Sequence, residues 1–287
     1  MSGSRAGIGF AAAAMLAALP HLVFAGDAPL RVGVYHNPPK IQLAEGEPPT
    51  GFWPELTRVI AAAEGRSVEW VSGDWNTLLS ELASSDIDVL VDVAVTEQRR
   101  ERIVFGEETV HVSWSRVYAA PGVDIEVIPD LRGRRVGVLE GSVNVDGAEG
   151  IRTLLDRFDI PANFVAVPSY EAVFAALARG DVDAGVVNRD FGNHMRAQFD
   201  VVATPILLQP AELRYAFSPQ AARSAEPSAG FDRRLAALKA DPDSEYHALL
   251  QRWLGMDARD AERPLPDWAR WALLGLLLTA LLLAAGL

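Results

Sequence analysis

Residues 75–105 read WNTLLSELASSDIDVLVDVAVTEQRRERIVF. Over 75–84 the apolar residues recur at helical spacing, with Leu78, Leu79 and Leu82 on one face. The polar turn Ser84-Ser85-Asp86 then gives way to an apolar run, Val89–Val95, that predicts a strand emptying into Thr96. Residues 170–186, YEAVFAALARGDVDAGV, repeat this pattern at a constant offset of 95 (Trp75 to Tyr170), with Leu82/Leu177, Asp86/Asp181 and Asp88/Asp183 in step. Arg31-Val32-Gly33-Val34 likewise returns as Arg135-Val136-Gly137-Val138. Two such units predict an α/β chain of two similar lobes with a cleft between them, where ligands bind beyond the carboxyl ends of the strands. A chance match between two common αβ units is the alternative reading.

The ends of the chain read differently from its body. Arg5 precedes an apolar run, Ile8 to Leu19, and Val23-Phe24-Ala25 offers small or apolar residues for cleavage, so residues 1–25 read as a secretory signal. An N-terminal anchor is the alternative, although the run is shorter than the ~20 residues a span needs. At the other end Trp268, Arg270 and Trp271 open an uncharged apolar stretch to Leu287, and residues 268–287 read as a transmembrane helix with an aromatic belt. Residues 256–267, charged and ending Pro264-Leu265-Pro266, read as a juxtamembrane linker. Read this way, the chain is the outer part of a longer receptor, cut within its membrane helix, with about 240 residues left for the body. Within that body the polar stretch Ser218–Gly230 precedes a helical pattern from Phe231 to Leu254, broken at Asp241-Pro242-Asp243, where Asp243 or Ser244 caps a second helix.

Composition narrows the function classes. The 287 residues carry 38 acids against 26 Lys and Arg, for a formal charge of −12, so there is no basic footprint for nucleic acid. The chain contains no cysteine, which removes thiol catalysis, disulfides and thiolate metal sites. The histidines show no metal spacing, and neither G-x-S-x-G nor a P-loop occurs, so no catalytic residues, metal or cofactor are expected. The strongest local motif is Thr96-Glu97-Gln98-Arg99 after the strand. A hydroxyl beside a planar five-donor fork suits a carboxylate; equally, Thr96 suits the N-cap of a solvated helix start.

The motifs W-x-x-L-x-x-x-L-x-x-x-x-x-D from Trp75, T-x-x-R-x-x-x-x-x-F from Thr96, V-G-V-L-x-G-S from Val136 and the later G-x-V-D-A follow one order. In that order they resemble the amino-acid-type periplasmic solute-binding proteins of the type II fold, bacterial extracellular solute-binding family 3. The resemblance covers roughly residues 30–255 and implies a two-lobed (Venus-flytrap) α/β domain, followed here by the C-terminal transmembrane helix. It implies lobe 1 at about 30–117 and 207–255, lobe 2 at about 120–203, and hinges near Tyr118–Ala120 and Ala203–Ile206. It places Arg99 on the family's carboxylate-binding arginine, Thr96 in the same loop and Trp75 on the aromatic stacked against the ligand. Gly141 and Ser142 fall on the second-lobe loop whose amides and hydroxyl complete an anion site, and His36 falls in the first lobe's aromatic-containing loop.

Two positions depart from the pattern. Asn188 stands where the family carries the acid that pairs with an α-ammonium, and an amide cannot neutralise that charge. Asp92 and Ala94 stand where small hydroxyl residues are usual, and Asp92 is expected near Arg99, where it would quench the anion site. The run Asn188-Arg189-x-Phe191-Gly192 is similar to the versions of this domain fused to signalling receptors, such as histidine kinases and diguanylate cyclases; Arg189 offers either a second anion contact or a solvated loop residue. The resemblance therefore implies an extracytoplasmic sensor of the inner membrane that binds a small anionic or amino-acid-like solute, and receptors of this architecture are commonly homodimers. The alternatives are the solute-binding component of an amino-acid transporter and an enzyme on the same fold, dehydratase-like or cell-wall lytic.

Overall fold

A computed structural model describes residues 28–208 and 210–255. The expected signal, linker and membrane helix lie outside them. Among the described residues no helix is long and apolar enough to cross a membrane. In chain order the first lobe lays down β1 (Leu30–Val34), α1 (Phe52–Ala63), β2 (Val68–Ser72), α2 (Trp75–Ser84), β3 (Val89–Ala94), the single turn α3 (Glu97–Arg100), β4 (Val104–Phe105) and β5 (His111–Ser113). The second lobe follows with β6 (Ser115–Ala119), β7 (Arg135–Leu139), the single turn α4 (Val143–Asp146), α5 (Ile151–Arg157), β8 (Asn163–Val167), α6 (Tyr170–Arg179), β9 (Ala184–Asn188), α7 (Arg189–Phe199) and β10 (Val202–Leu207). The chain then returns to the first lobe for β11 (Ala211–Phe217), α8 (Ala221–Ala240) and α9 (Glu245–Leu254).

Each lobe is one sheet with helices packed against it. The first runs β2-β1-β3-β11-β4 with β5 also on β11, and the second runs β10-β6-β9-β7-β8. In both, a parallel trio (β2-β1-β3; β8-β7-β9) meets an antiparallel strand, β11 or β6, beside its last member. The apolar runs that predicted strands are those buried on both faces: every residue of β3 and of β9 is buried, as strands covered by helices require. The offset pairs keep step in space. Leu82 and Leu177 are both fully buried, and Asp88 and Asp183 each accept the backbone N–H that opens the neighbouring strand, Arg31 and Arg135, at 2.9 Å.

The second lobe has its own small core, including Val136, Val138, Ile151 and Leu155. In the first lobe Phe52, Trp53, Leu56 and Ile60 of α1 are fully buried, each such side chain contributing roughly 1.5–3 kcal/mol. α1 is tied to the C-terminal helices by Arg234–Glu64 at 2.7 Å and Arg252–Glu55 at 3.0 Å. Helix α8 begins at Ala221, ten residues before the expected start at Phe231 and inside the polar stretch Ser218–Gly230, and carries Pro227 within it.

The chain changes sheet at Trp114, between β5 and β6, and again between β10 and β11. The hinges expected near Tyr118–Ala120 and Ala203–Ile206 fall instead inside the second sheet. There Ala119 pairs with Val202, and Tyr118 with Ala203.

Candidate ligand site between the lobes

The carboxyl ends of β1, β3, β7 and β9 converge on the gap between the lobes. Its inner part is a pocket of about 40 Å³, and its outer part is a cleft of about 850 Å³ between α2–α3 on one side and the α4 loop on the other. Arg99, Ser142, Val143, Asn144 and Ala211 line both.

Thr96 does what a helix N-cap does: its hydroxyl accepts the Arg99 N–H at 3.2 Å. The single turn it opens swings the Arg99 side chain back into the gap, so the two readings of this motif coexist. The guanidinium lies over the Trp75 ring, 5.0 Å from its centroid. It donates through Nη1 to the carbonyl of Ala94 at 2.8 Å and through Nη2 across the gap to the carbonyl of Gly141 at 3.0 Å. Those two bonds leave three of its five N–H groups for other acceptors. Burial lowers the Arg99 pKa from its ordinary value, but an arginine stays charged.

Trp75 is 5% exposed, stands edge-on to Tyr35 and donates its indole N–H to the Gly141 carbonyl at 3.3 Å. Gly141 is fixed as glycine on two grounds: it takes φ 72°, and a Cβ there would lie 2.5 Å from Asn76 Oδ1 of the first lobe. The expectation for the Gly141-Ser142 loop changes accordingly. Its carbonyl, rather than its amide, faces Arg99, while the Gly141 N–H goes to Asp146 at 3.3 Å. The Ser142 hydroxyl accepts from the Asn144 N–H at 3.2 Å and lies 3.1 Å from the Tyr170 hydroxyl.

Asp92 is placed by an irregularity. β3 and β11 lose register between Arg214 and Ala216, and Asp92 takes φ 60° in the left-handed region, which costs an ordinary residue about 1–2 kcal/mol. Its carboxylate turns away from Arg99 toward the β1–α1 loop. There it accepts from Lys40 Nζ at 2.8 Å, Asn37 Nδ2 at 2.8 Å and the Tyr35 hydroxyl at 2.9 Å. The expected quenching of Arg99 is thus replaced by a Lys40–Asp92 ion pair with side chains 2% and 0% exposed. Burial and the Asp92 charge push the Tyr35 phenol well above its usual range, so it remains a donor.

Asn188 ends β9 and caps α7, its Oδ1 accepting the Phe191 N–H at 3.0 Å, and its Nδ2 donates across the gap to Asn37 Oδ1 at 3.0 Å. Behind it Asn144 Nδ2 donates to the Tyr170 hydroxyl at 2.8 Å, and the Ser115 hydroxyl donates to Asn144 Oδ1. Burial raises the Tyr170 pKa to about 12. Every polar side chain that the second lobe gives the inner pocket is therefore neutral. His36 stands apart: its Nδ1 accepts the Leu43 N–H at 3.2 Å, inside its own loop, and it lines neither cavity. Arg189 also lies outside both, with its guanidinium 4.6 Å from the Trp114 ring centroid.

A second inter-lobe contact sits at the crossover. Asp190 of α7 meets His111 Nε2 at 3.1 Å and accepts the Ser113 hydroxyl, both from β5. Burial raises the Asp190 pKa, but the His111 contact, Lys40, the His111 charge and Ser113 together outweigh it and hold it at about 2. Sequence reading missed Tyr35, Asn37, Lys40, Asn144 and Tyr170; the Tyr170/Trp75 pairing of the internal repeat was the one signal that could have found any of them.

The family described as bacterial extracellular solute-binding proteins, family 3, matches residues 30–256. The lysine/arginine/ornithine-binding periplasmic protein of Escherichia coli K12 is 27% identical over 191 residues, 60% of this chain and 67% of that one. For two further curated relatives from Bacillus subtilis the match spans about half their length, 52% and 46%. Among solved structures, an ancestral arginine-binding protein bound to glutamine superposes with TM-score 0.69 at 22% identity, covering 79% of this chain and 98% of that one. A histidine kinase sensor domain with similarity to periplasmic binding proteins superposes with TM-score 0.68 at 25% identity, covering 79% and 96%.

Proposed function

Since the chain belongs to the bacterial extracellular solute-binding proteins, family 3, we propose that its two lobes close on a small carboxylate-bearing solute and report it as the extracytoplasmic input domain of a membrane-anchored receptor. The observation that carries the reading is Arg99. It is a half-buried cation stacked on an aromatic ring, bonded to both lobes, with donors left over at the cleft it lines. A carboxylate there gains charge-assisted, bidentate hydrogen bonds, and a ligand held by Arg99 and Ser142 together favours the closed lobe pair over an open one. The relatives are named for amino acids, whereas Asn188 stands where the acid for an α-ammonium is expected. The solute class favoured is therefore a carboxylate that needs no such partner.

The sensor reading draws on the likeness to the histidine kinase sensor domain and on the apolar sequence from Trp271 to Leu287. The transport reading draws on the curated periplasmic binding relative. The test is a thermal-shift screen of small carboxylates on the purified protein, repeated with Arg99→Ala. A hit that stabilises the wild type and not the variant supports the site; a hit that stabilises both equally removes Arg99 from it.

A further inference from the structure

We infer that Lys40 is a resident ammonium: it fills the one buried acidic subsite of the cleft and so selects solutes that carry a carboxylate but no ammonium group. The inference rests on the carboxylate reading of the same cleft and adds the reason for its selectivity.

Among the described residues Asp92 is the sole acid lining the inner pocket, and three donors reach it from within the chain, Lys40 on one oxygen and Tyr35 and Asn37 on the other. The acids around the outer cleft have basic neighbours: Asp146 with Arg152 at 3.0 Å, Glu149 with Arg157 at 3.5 Å, Glu212 with Arg214 at 2.7 Å, and Glu97 with Arg100 at 3.7 Å. An incoming ammonium thus finds no buried counter-charge unless it displaces Lys40. Displacement leaves the lysine uncompensated in the interior, which is the costly way to break a buried pair.

Lys40 is also built in, unlike a surface lysine that falls inward. Its loop is closed by the bridges Asn37↔Ile41 and Gln42↔Thr50. Its carbonyl accepts the Trp53 N–H at 3.1 Å. Gly51, at φ 109°, lies so close that a Cβ would sit 2.7 Å from that carbonyl. On the far side, Asn188 keeps the pocket neutral and reaches Asn37 of the same loop. Two sequence departures that look unrelated, an aspartate at 92 and an amide at 188, are in this view one device: the ammonium that a bound amino acid would bring is supplied by the chain.

The test pairs each α-amino acid with its des-amino carboxylate (alanine with propionate, glutamate with glutarate, phenylalanine with 3-phenylpropionate). It follows the unfolding midpoint and binding heat of wild type, Lys40→Ala and Lys40→Met. The wild type is expected to bind the des-amino partner, and both variants to shift preference toward the amino acid by about tenfold or more. n-Propylammonium, the severed end of the lysine, is expected to stabilise Lys40→Ala and leave the wild type unmoved. Lys40→Met stands in where Lys40→Ala does not fold. Tighter binding of amino acids by the wild type, or equal stabilisation of both proteins by propylammonium, overturns the inference. If no carboxylate binds the wild type, the solute reading fails, and the propylammonium response alone decides the role of Lys40.

Discussion

The two lobes are built from the same unit and use it differently. In each, a helix opens on an aromatic residue at the cleft, Trp75 or Tyr170, and ends at a left-handed residue, Ser85 at φ 68° or Gly180 at φ 71°. A buried strand then runs back toward the cleft, beside an aspartate that anchors the neighbouring strand. The units part at the strand's end. β3 kinks at Asp92 and delivers Arg99, Asp92 and, through the loop it grips, Lys40; β9 runs straight into the amide of Asn188. The framework is thus shared while the charge of the inner pocket comes from the first lobe, and the second supplies it with shape and neutral hydrogen bonds. On the proposed reading this divides the work: the first lobe would hold the charged solute, and closure of the second would report that it is held.

The sharpest way to break the contrast is to remove the first lobe's acid. Asp92→Leu leaves Lys40 buried without a partner and is expected to destabilise the protein by about 3–5 kcal/mol in denaturant unfolding, with Lys40→Met/Asp92→Leu recovering most of it. A recovery no better than the single variant assigns the loss to the backbone bulge instead. Next comes pH. Because Asp190 is held at about 2 in the folded chain, below its ordinary 3.8, its contribution is complete above about pH 4 and is lost as pH falls toward 2. About 2 kcal/mol should disappear across that window in wild type and not in Asp190→Asn.

A smaller effect is expected from Gly141→Ala. Its positive φ and the 2.5 Å approach to Asn76 predict a loss of about 1–2 kcal/mol and a larger radius of gyration in solution scattering, as the lobes are wedged apart. Comparable in size is Asn188→Ala, which removes one helix cap and one inter-lobe bond, for about 1–2 kcal/mol, without altering the charge of the site or wedging the lobes apart.

What the sequence disclosed follows the same division. The helix–strand units were legible because their signals are local: apolar spacing, a polar turn, a repeat at fixed offset. Arg99, Trp75, Ser142 and Asn188 were legible through the motifs' resemblance to the family, and all four line the inner pocket. Lys40, Asn37 and Tyr35 were not. They sit in a loop whose Pro38-Pro39 reads as an ordinary turn, and their partner Asp92 is 52, 55 and 57 residues away. No local pattern announces a left-handed aspartate inside an apolar strand. The chain's crossings between sheets were not legible for a related reason: long-range strand pairing, and not local composition, decides where the second sheet begins.

The asymmetry itself can be measured in one titration series. The best carboxylate found for the wild type is titrated calorimetrically into Arg99→Gln and Ser142→Ala at neutral pH. Loss of the charged contact in the first lobe is expected to weaken binding by about a hundredfold, and loss of the neutral hydroxyl in the second by about tenfold or less. A larger loss in Ser142→Ala than in Arg99→Gln would contradict the account, since the second lobe would then carry the recognition assigned here to the first.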